Sequence, residues 1–343
     1  MKKIVKYICL LAMCLFFSCQ QQKSSSYFDA ASEGIQSGGI QMVPVTTSKG
    51  IFHVWTKRVG NNPTIKVLLL HGGPACTHEY FECMESFFPK ENIEFYYYDQ
   101  LGSYYSDQPN DTSLWHLDRF VDEVEQVRKA LGLNKDNFYL LGHSWGGILA
   151  MQYALKYQDN IKGLIVSDMM SSGPEYGKYA DEVLSKQMDK AALDSIRMME
   201  AKGDFNNPRY MGILYTQHYE KHICRMPADE WPDPVKRTFK HLNSVIYTQM
   251  QGPSEFGLGG NLVAWDISSQ LKNITVPTLV IGAKYDSMDP SFMEWMSKQF
   301  PNCSYLFCAN GSHLCMYDDQ QTYFAGLIKF IKAIDKGEKK VNL

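Results

Sequence analysis

The sequence lacks any strong excess of charge of one sign. Its 343 residues carry 34 basic groups (Lys and Arg) against 37 acidic groups (Asp and Glu), which gives a formal net charge of −3 at pH 7. A protein that binds nucleic acid through the phosphates carries a basic patch or stripe. The charge balance therefore argues against a nucleic-acid partner, and the 45% apolar and 21% charged content is typical of a globular protein.

Metal-binding spacings and repeats are also missing. The nine cysteines contain no Cys-x-x-Cys pair or comparable zinc spacing, and no repeat of solenoid period is visible. His218 and His222 lie four residues apart, but no glutamate follows the first histidine. We therefore expect a solvent-facing helix surface there, no metal site and no cofactor.

The first nineteen residues have the pattern of an export signal. Lys2 and Lys3 precede an almost wholly apolar segment, residues 7–17, which ends at Ser18-Cys19. The segment is shorter than the roughly 20 residues of a membrane-spanning helix and has the length of a signal-peptide core. A small residue directly before cysteine resembles a bacterial lipobox, although Phe16 stands at the usual leucine position. We predict lipidation of Cys19; an ordinary secretory signal and an uncleaved anchor are the alternatives.

The polar residues that follow Cys19 predict a flexible tether over residues 20–34. Lipidation would hold the mature protein on a membrane outside the cytoplasm, in the bacterial cell envelope. Gln20, in place of the aspartate that can retain lipoproteins in the inner membrane, favours the outer membrane. Six cysteines remain beyond the signal, and we predict no specific disulfide among them.

From about residue 35, short apolar runs alternate with helical patterns, which predicts an α/β fold with a mostly parallel sheet covered on both faces. Residues 39–47 and 51–59 predict an opening antiparallel pair. Residues 172–271 contain no buried-strand pattern and have helical spacings, for example at 179–199 and 237–250. We predict an α/β core over 35–171 and 272–343, with 172–271 inserted as a helical cap over a pocket.

The segment Gly142-His143-Ser144-Trp145-Gly146 is a Gly-x-Ser-x-Gly motif between a predicted strand and a predicted helix. In that context the motif forms a sharp turn that exposes the serine hydroxyl at the carboxyl edge of the sheet. The glycines two residues before and after the serine are required by the strained backbone. Ser144 is therefore the predicted nucleophile.

A nucleophilic serine needs a base, and the base needs an orienting carboxylate. Asp286 and His313 each follow a predicted strand, in the chain order serine, acid, histidine that this fold uses. We predict Asp286 as the acid and His313 as the base, with Asp289 as the alternative acid. His71 and His143 precede glycine turns and are predicted to be structural.

The oxyanion formed during acyl transfer needs backbone N–H donors. One donor is predicted at Trp145, directly after the nucleophile, and the other at Gly73 in the loop His71-Gly72-Gly73-Pro74. Glycines in that loop allow the backbone to approach a substrate closely.

With these residues in place, the chain resembles the proline iminopeptidase family of α/β-hydrolase fold serine peptidases over about residues 35–335. The segments that carry the resemblance are His71-Gly72-Gly73-Pro74, Tyr98-Asp99-Gln100-Leu101-Gly102, Gly142 through Gly147, and Gly282 through Asp286. The resemblance implies release of an N-terminal residue, often proline, from short peptides, below a helical cap. It also implies that a carboxylate holds the free α-ammonium. Glu255, in Gly252-Pro253-Ser254-Glu255-Phe256, matches the family segment that supplies it; an ordinary surface glutamate is the alternative.

Two positions depart from the family pattern. Ser287 follows Asp286 where some relatives have a glutamate, and Asp289 is the candidate for compensation. Ala75 follows Pro74 where the family has glycine. Three functional hypotheses stay open: an aminopeptidase, an esterase or amidase that acts on uncharged substrates, and a non-catalytic lipid-anchored binding protein. Haloalkane dehalogenases and epoxide hydrolases are disfavoured, since they use a carboxylate where this chain has Ser144. The sequence does not determine the oligomeric state.

Overall fold

The computed structural model describes residues 37–205 and 207–343. Cys19, the predicted signal and the predicted tether lie outside the described residues. Eight strands occur in the described ranges: β1 (Ile40–Thr47), β2 (Gly50–Val59), β3 (Lys66–Leu70), β4 (Glu94–Tyr98), β5 (Phe138–His143), β6 (Gly163–Ser167), β7 (Thr278–Ala283) and β8 (Cys303–Cys308). They form one sheet of order β1-β2-β4-β3-β5-β6-β7-β8.

The sheet is mostly parallel. β1 pairs with β2, and β2 with β4, in antiparallel register, whereas the pairs from β4 through β8 are parallel. Every residue of β4, β5, β6 and β7 is buried, because helices cover both faces of a parallel sheet. The predicted opening hairpin and the predicted α/β fold class are both confirmed.

The α-helices of the described residues follow the strands and fill an insertion between β6 and β7. They are α1 (Leu117–Ala130), α2 (Trp145–Tyr157), α3 (Gly173–Tyr179), α4 (Lys190–Lys202), α5 (Pro208–Leu214), α6 (Glu220–His222), α7 (Asp233–Lys240), α8 (Ser244–Met250), α9 (Pro290–Ser297), α10 (Cys315–Asp318) and α11 (Gln320–Asp335). The 3₁₀ segments are His78–Ser86, Pro89–Glu91, Thr112–Leu114, Gln158–Asn160, Ser185–Gln187, Ala228–Glu230 and Ser268–Asn273, and the π segments are Ala180–Leu184 and Tyr215–Tyr219. None of the helices in these ranges is long and apolar enough to cross a membrane.

Two hydrophobic layers cover the sheet. One layer contains Phe120 of α1, Ile148 of α2 and Met293 of α9. The other contains Phe81 of the segment His78–Ser86 and Phe330 of α11, together with residues of the insertion. Burying side chains of several helices against each face is the main stabilisation of such a layered fold.

The insertion is more broken than its helical spacings predict. The predicted helix over 179–199 is interrupted, because Asp189 accepts a hydrogen bond from the N–H of Ala192 and starts α4 as a new helix. Asn243 likewise accepts from the N–H of Ile246 and separates α8 from α7, within the predicted helix over 237–250. Side chains of this type satisfy the first free N–H groups of a helix, so each one marks a helix start.

The parallel register brings three loops to one edge of the sheet. β5, β7 and β8 run in the same direction, so the residues that follow them meet at their carboxyl ends. In open α/β sheets this edge is where ligands bind.

Candidate active site

Ser144 lies at the sharp turn between β5 and α2. Its φ is +55° and its ψ is −128°, a conformation that is strained for a residue with a side chain. A Cβ on Gly142 would lie 1.9 Å from the carbonyl oxygen of Gly146, and one on Gly146 would lie 2.0 Å from that of Leu70. Both positions therefore require glycine, as the motif predicts.

The structure pairs His313 with Asp286. The imidazole Nδ1 of His313 donates to Oδ1 of Asp286 at 2.8 Å, and the N–H of Met288 donates to the same oxygen at 3.1 Å. Both side chains are buried. Burial lowers the pKa of His313, but the carboxylates of Asp286 and Glu255 more than offset this effect, so its pKa is raised.

His313 and Ser144 line the same cavity. The Nε2 atom of His313 has no hydrogen-bond partner among the described residues, so no bond to the Ser144 hydroxyl is formed in this state. Catalytic hydrogen bonds are often long before substrate binds and shorten in the complex. The structure thus brings the three predicted residues to one place and leaves Nε2 available.

Asp289, the alternative acid, lies at the start of α9. Its carboxylate accepts from the N–H of Ser291 at 2.8 Å, which is the geometry of a helix cap. It is half-buried and is not among the residues that line the cavity. The contact with His313 belongs to Asp286.

Of the two predicted oxyanion donors, one lines the cavity with Ser144 and the other directly follows it in the chain. Gly73 lines the cavity with a φ of +107°, and a Cβ there would lie 2.6 Å from the backbone nitrogen of Cys76. Trp145 is the first residue of α2, where an N–H has no partner within the helix. Its indole donates to Oε1 of Gln100 at 2.9 Å, so the Asp99-Gln100 motif supports the turn.

A buried chain of hydrogen bonds joins the glycine loop to the loop of His313. The N–H of Gly72 donates to the Tyr80 hydroxyl at 2.8 Å, and this hydroxyl lies 3.1 Å from Nδ1 of His143. Nε2 of His143 lies 2.7 Å from the carbonyl oxygen of His313. From these partners we infer that Nε2 of His143 carries the proton and donates to the carbonyl of His313. The Tyr80 hydroxyl then donates to Nδ1 of His143. Sequence reasoning missed Tyr80, because no motif marks it.

The two histidines that were predicted to be structural are neutral and buried. Burial lowers the pKa of His143 well below its usual value and that of His71 to about 4. Nε2 of His71 accepts from the N–H of Gln100 at 3.1 Å. Both histidines hydrogen-bond to the loops around Ser144, whereas the bond to Asp286 is made by His313.

Glu255 is buried in the insertion and lines the cavity. The Tyr247 hydroxyl donates to its Oε1 at 2.6 Å. Its N–H donates to the Tyr219 hydroxyl at 3.0 Å, and its carbonyl accepts from Tyr176 at 2.8 Å and from His218 at 3.2 Å. Burial raises the pKa of Glu255, while His313 and the hydrogen bond from Tyr247 act in the opposite direction. Tyr247 therefore holds the carboxylate itself, and three further side chains hold the backbone of Glu255 in place.

His218 and His222 do not form the solvent-facing surface that we predicted. Both are buried, and burial lowers the pKa of His218 to about 3. Nδ1 of His222 donates to the carbonyl of Tyr285 at 2.9 Å, and the N–H of His313 donates to the carbonyl of His222 at 3.0 Å. The prediction was wrong because this part of the insertion packs on the loops of the acid and the base. Within the described ranges, no cluster of three or more His, Cys, Asp or Glu residues could hold a metal ion.

The cavity has a largely apolar surface, to which the insertion contributes several side chains. These include Ile223, Val235, Phe239 and Leu242. Lysine and arginine do not occur among the described residues that line it. The site thus combines a nucleophile, a His–Asp pair and one buried carboxylate in an apolar chamber, which is suited to acyl transfer from a small cationic substrate.

Ala75 is expected to carry backbone strain, since its φ is +61°. Replacing it with glycine should raise the free energy of unfolding by about 1 kcal/mol, because left-handed backbone is disfavoured for residues with a Cβ. Urea unfolding of both proteins measures the change. The control is Ala192→Gly in α4, which should lower the free energy of unfolding by roughly 0.5–1 kcal/mol. Destabilisation by Ala75→Gly would show that the loop tolerates this conformation without strain.

A family model described as the alpha/beta hydrolase fold matches residues 66–320. Among curated proteins, the chain is 63% identical over 301 residues to a proline iminopeptidase of Flavobacterium johnsoniae, covering 88% of this chain and 100% of the relative. It is 62% identical over 296 residues to a proline iminopeptidase of Elizabethkingia meningoseptica, covering 86% of this chain and 98% of the relative. A solved structure of proline iminopeptidase from Mycobacterium smegmatis superposes with a TM-score of 0.76 at 24% identity, covering 87% of this chain and 99% of that chain. This last likeness supports the fold.

Proposed function

Because the chain belongs to the proline iminopeptidase family of the α/β-hydrolase fold, we propose that it is a serine aminopeptidase. It releases an N-terminal residue, proline or another small or hydrophobic residue, from short peptides. The observation that carries the proposal is that Ser144, the His313–Asp286 pair and the buried Glu255 meet at one apolar cavity.

In this proposal Ser144 attacks the carbonyl carbon of the first residue, and His313 takes the hydroxyl proton at Nε2. Asp286 holds Nδ1–H and thereby selects the tautomer in which Nε2 is a base. The N–H groups of Gly73 and Trp145 bind the oxyanion. His313 then protonates the leaving amine, and water releases the acyl group from Ser144. No step requires a cofactor.

Glu255 is assigned to the free α-ammonium of the substrate. Tyr247 occupies Oε1 of Glu255, so we assign the ammonium to Oε2. Ser287, at the position where some relatives have a second carboxylate, is buried with its hydroxyl 3.4 Å from Oδ1 of Asp286. The amine site of this chain therefore relies on one carboxylate, which makes Glu255 the main determinant of free-amine selectivity.

The side chain of the first residue is expected to be small or apolar. Val235 and Phe239 of α7, with Leu242 and Ile223, contribute apolar surface to the cavity, and no lysine or arginine occurs among its described lining residues. A charged side chain would have to be desolvated there without a partner, which is costly. Proline and short aliphatic residues fit this lining.

A panel of aminoacyl-naphthylamides tests the proposal. We expect cleavage of prolyl or small apolar aminoacyl substrates, and a fall of about 10²-fold or more in kcat/KM when the amine is acetylated, because acetylation removes the charge that Glu255 binds. Initial rates for each free and acetylated pair measure the ratio. Equal rates on both members of a pair, with rapid cleavage of simple esters, would instead support the esterase or amidase hypothesis. Absence of labelling by a fluorophosphonate probe would support the non-catalytic binding protein.

The same proposal places the mature protein on the outside of the cytoplasm, anchored through lipid on Cys19, with the outer membrane as the favoured location. The sequence pattern at residues 2–19 supports it. In a bacterial host, Cys19→Ser should prevent incorporation of an alkyne fatty acid and move the protein from the membrane fraction to the soluble fraction. Cys14→Ser, within the predicted signal, is the matched control and should remain lipidated. A wild-type protein that is wholly soluble and unlipidated would contradict the anchor.

A further inference from the structure

The charges of the cavity are unevenly paired. Asp286 is paired with His313 at 2.8 Å, whereas the described partner of the Glu255 carboxylate is the neutral hydroxyl of Tyr247. No lysine or arginine belongs to the described lining. A buried carboxylate without a cation is costly, so any cation that enters the cavity is strongly favoured by Glu255.

Two cations can meet this demand. One is the imidazolium form of His313, which lines the same cavity as Glu255. The other is the α-ammonium of the substrate. We propose that these two compete for the field of Glu255, so that binding of a cationic amine expels the proton at Nε2 of His313 and creates the free base that activates Ser144. The inference rests on the proposed function, since it takes Glu255 as the partner of the ammonium.

The charge and proton balance are complete. In the free protein, two carboxylates and one imidazolium give the site a charge of −1. In the complex, two carboxylates, one ammonium and a neutral imidazole again give −1. The Nε2–H bond breaks and the proton passes to solvent, while Nδ1–H stays on the bond to Asp286. No oxidant, reductant or other reactant is needed.

Among the groups that act on His313, Glu255 is the one whose pairing changes when an amine binds. Burial lowers the pKa of His313, and Asp286, Glu255 and Asp318 raise it. Asp286 is bonded to the imidazole, and Asp318 is held by the N–H groups of Ser312 and Arg225 at 3.0 and 3.1 Å, outside the cavity lining.

The remaining neighbours of the two groups are neutral. Burial lowers the pKa values of His143 and His218, which face His313 from the nucleophile turn and from the insertion. Burial also raises the pKa values of the hydroxyls and the thiol around Glu255, so they stay protonated; these are Tyr176, Tyr219, Tyr247, Tyr80 and Cys76. The exchange therefore involves only Glu255, His313 and the incoming amine.

The exchange would add a second source of selectivity. A substrate without an ammonium leaves Glu255 unpaired, so His313 keeps its proton at mildly acidic pH and Ser144 is not activated. A free-amine substrate both binds to Glu255 and releases the base. The linkage is reciprocal: the affinity for an amine rises with pH as the proton leaves His313.

The decisive experiment uses a substrate that has no amine. Hydrolysis of p-nitrophenyl acetate is measured from pH 5 to 8 for wild type and for Glu255→Gln. Below the pKa of the base, the variant should be faster than wild type by roughly 3–10-fold, because its His313 loses the proton at lower pH. The two rates should converge at alkaline pH. Glu182→Gln, an exposed change of equal charge in the insertion, should leave the profile unchanged.

Identical ester profiles for wild type and Glu255→Gln would overturn the inference, since a carboxylate that only binds the amine predicts no change. Failure of the proposed function is separate: it would appear as no cleavage of prolyl-naphthylamide by wild type.

A second measurement does not depend on Glu255→Gln folding. Calorimetric binding of L-prolinamide to Ser144→Ala in phosphate and in Tris near pH 7 should show proton release on binding. Binding without proton release in both buffers would overturn the inference equally.

Discussion

Replacing Ser144 with alanine is expected to lower kcat for aminoacyl-naphthylamides by at least about 10⁴-fold. The variant removes the only atom that forms the acyl intermediate, while the backbone at φ +55° is equally accessible to alanine. Initial rates measure the loss, and circular dichroism and urea unfolding establish that the fold is retained.

Ser291→Ala is the matched control for this prediction. Ser291 is exposed in the first turn of α9 and does not line the cavity, so its hydroxyl is not expected to affect the rate. Retention of more than a tenth of the wild-type rate by Ser144→Ala would contradict a covalent role for this serine. Loss of fluorophosphonate labelling in the same variant would place the reactive hydroxyl at Ser144.

Replacing Asp286 with asparagine is expected to lower kcat by about 10³–10⁴-fold, with a smaller effect on KM. Asparagine is close to aspartate in shape, but it removes the negative charge and can direct an N–H at Nδ1 of His313. The imidazole then adopts the tautomer with the proton on Nε2, which cannot accept the proton of Ser144. The 2.8 Å bond between His313 and Asp286 makes this consequence direct.

Asp289→Asn is the control, because asparagine also caps helices and α9 should stay intact. We expect this variant to retain nearly the full rate. The opposite pattern, with Asp289→Asn inactive and Asp286→Asn active, would make Asp289 the acid. Rates of both variants should be measured from pH 6 to 9. If the substitution only shifts the pKa of His313, activity returns at another pH, whereas loss of the required tautomer lowers the rate at every pH.

The nucleophile turn was predictable because its constraints are local. The clashes that a Cβ would cause at Gly142 and Gly146 lie within the turn and the neighbouring strand β3. A motif of five residues is therefore enough to predict the turn and the exposed serine. The strands β4, β5, β6 and β7 were likewise predictable, since their largely apolar sequences follow from burial on both faces.

The support of the site was not predictable in the same way. Tyr80 reaches His143 across 63 positions of the chain, and His218 reaches the carbonyl of Glu255 across 37. Neither contact has a sequence pattern, because each depends on how separate segments pack. For the same reason His218 and His222, whose spacing indicated a solvent-facing surface, proved to be buried.

By itself, the sequence determined the alternation of strands and helices in the core, the α/β class, the nucleophile turn and the family, because each depends on residues that are close along the chain. The tertiary structure decided that Asp286, and not Asp289, bonds to His313, since the two carboxylates differ only in where the backbone places them. It also decided that Glu255 faces the same cavity as His313, with no lysine or arginine among the described residues of the lining. Charge pairing depends on distance in space and on exclusion of water, and neither can be deduced from the spacing of residues along the chain.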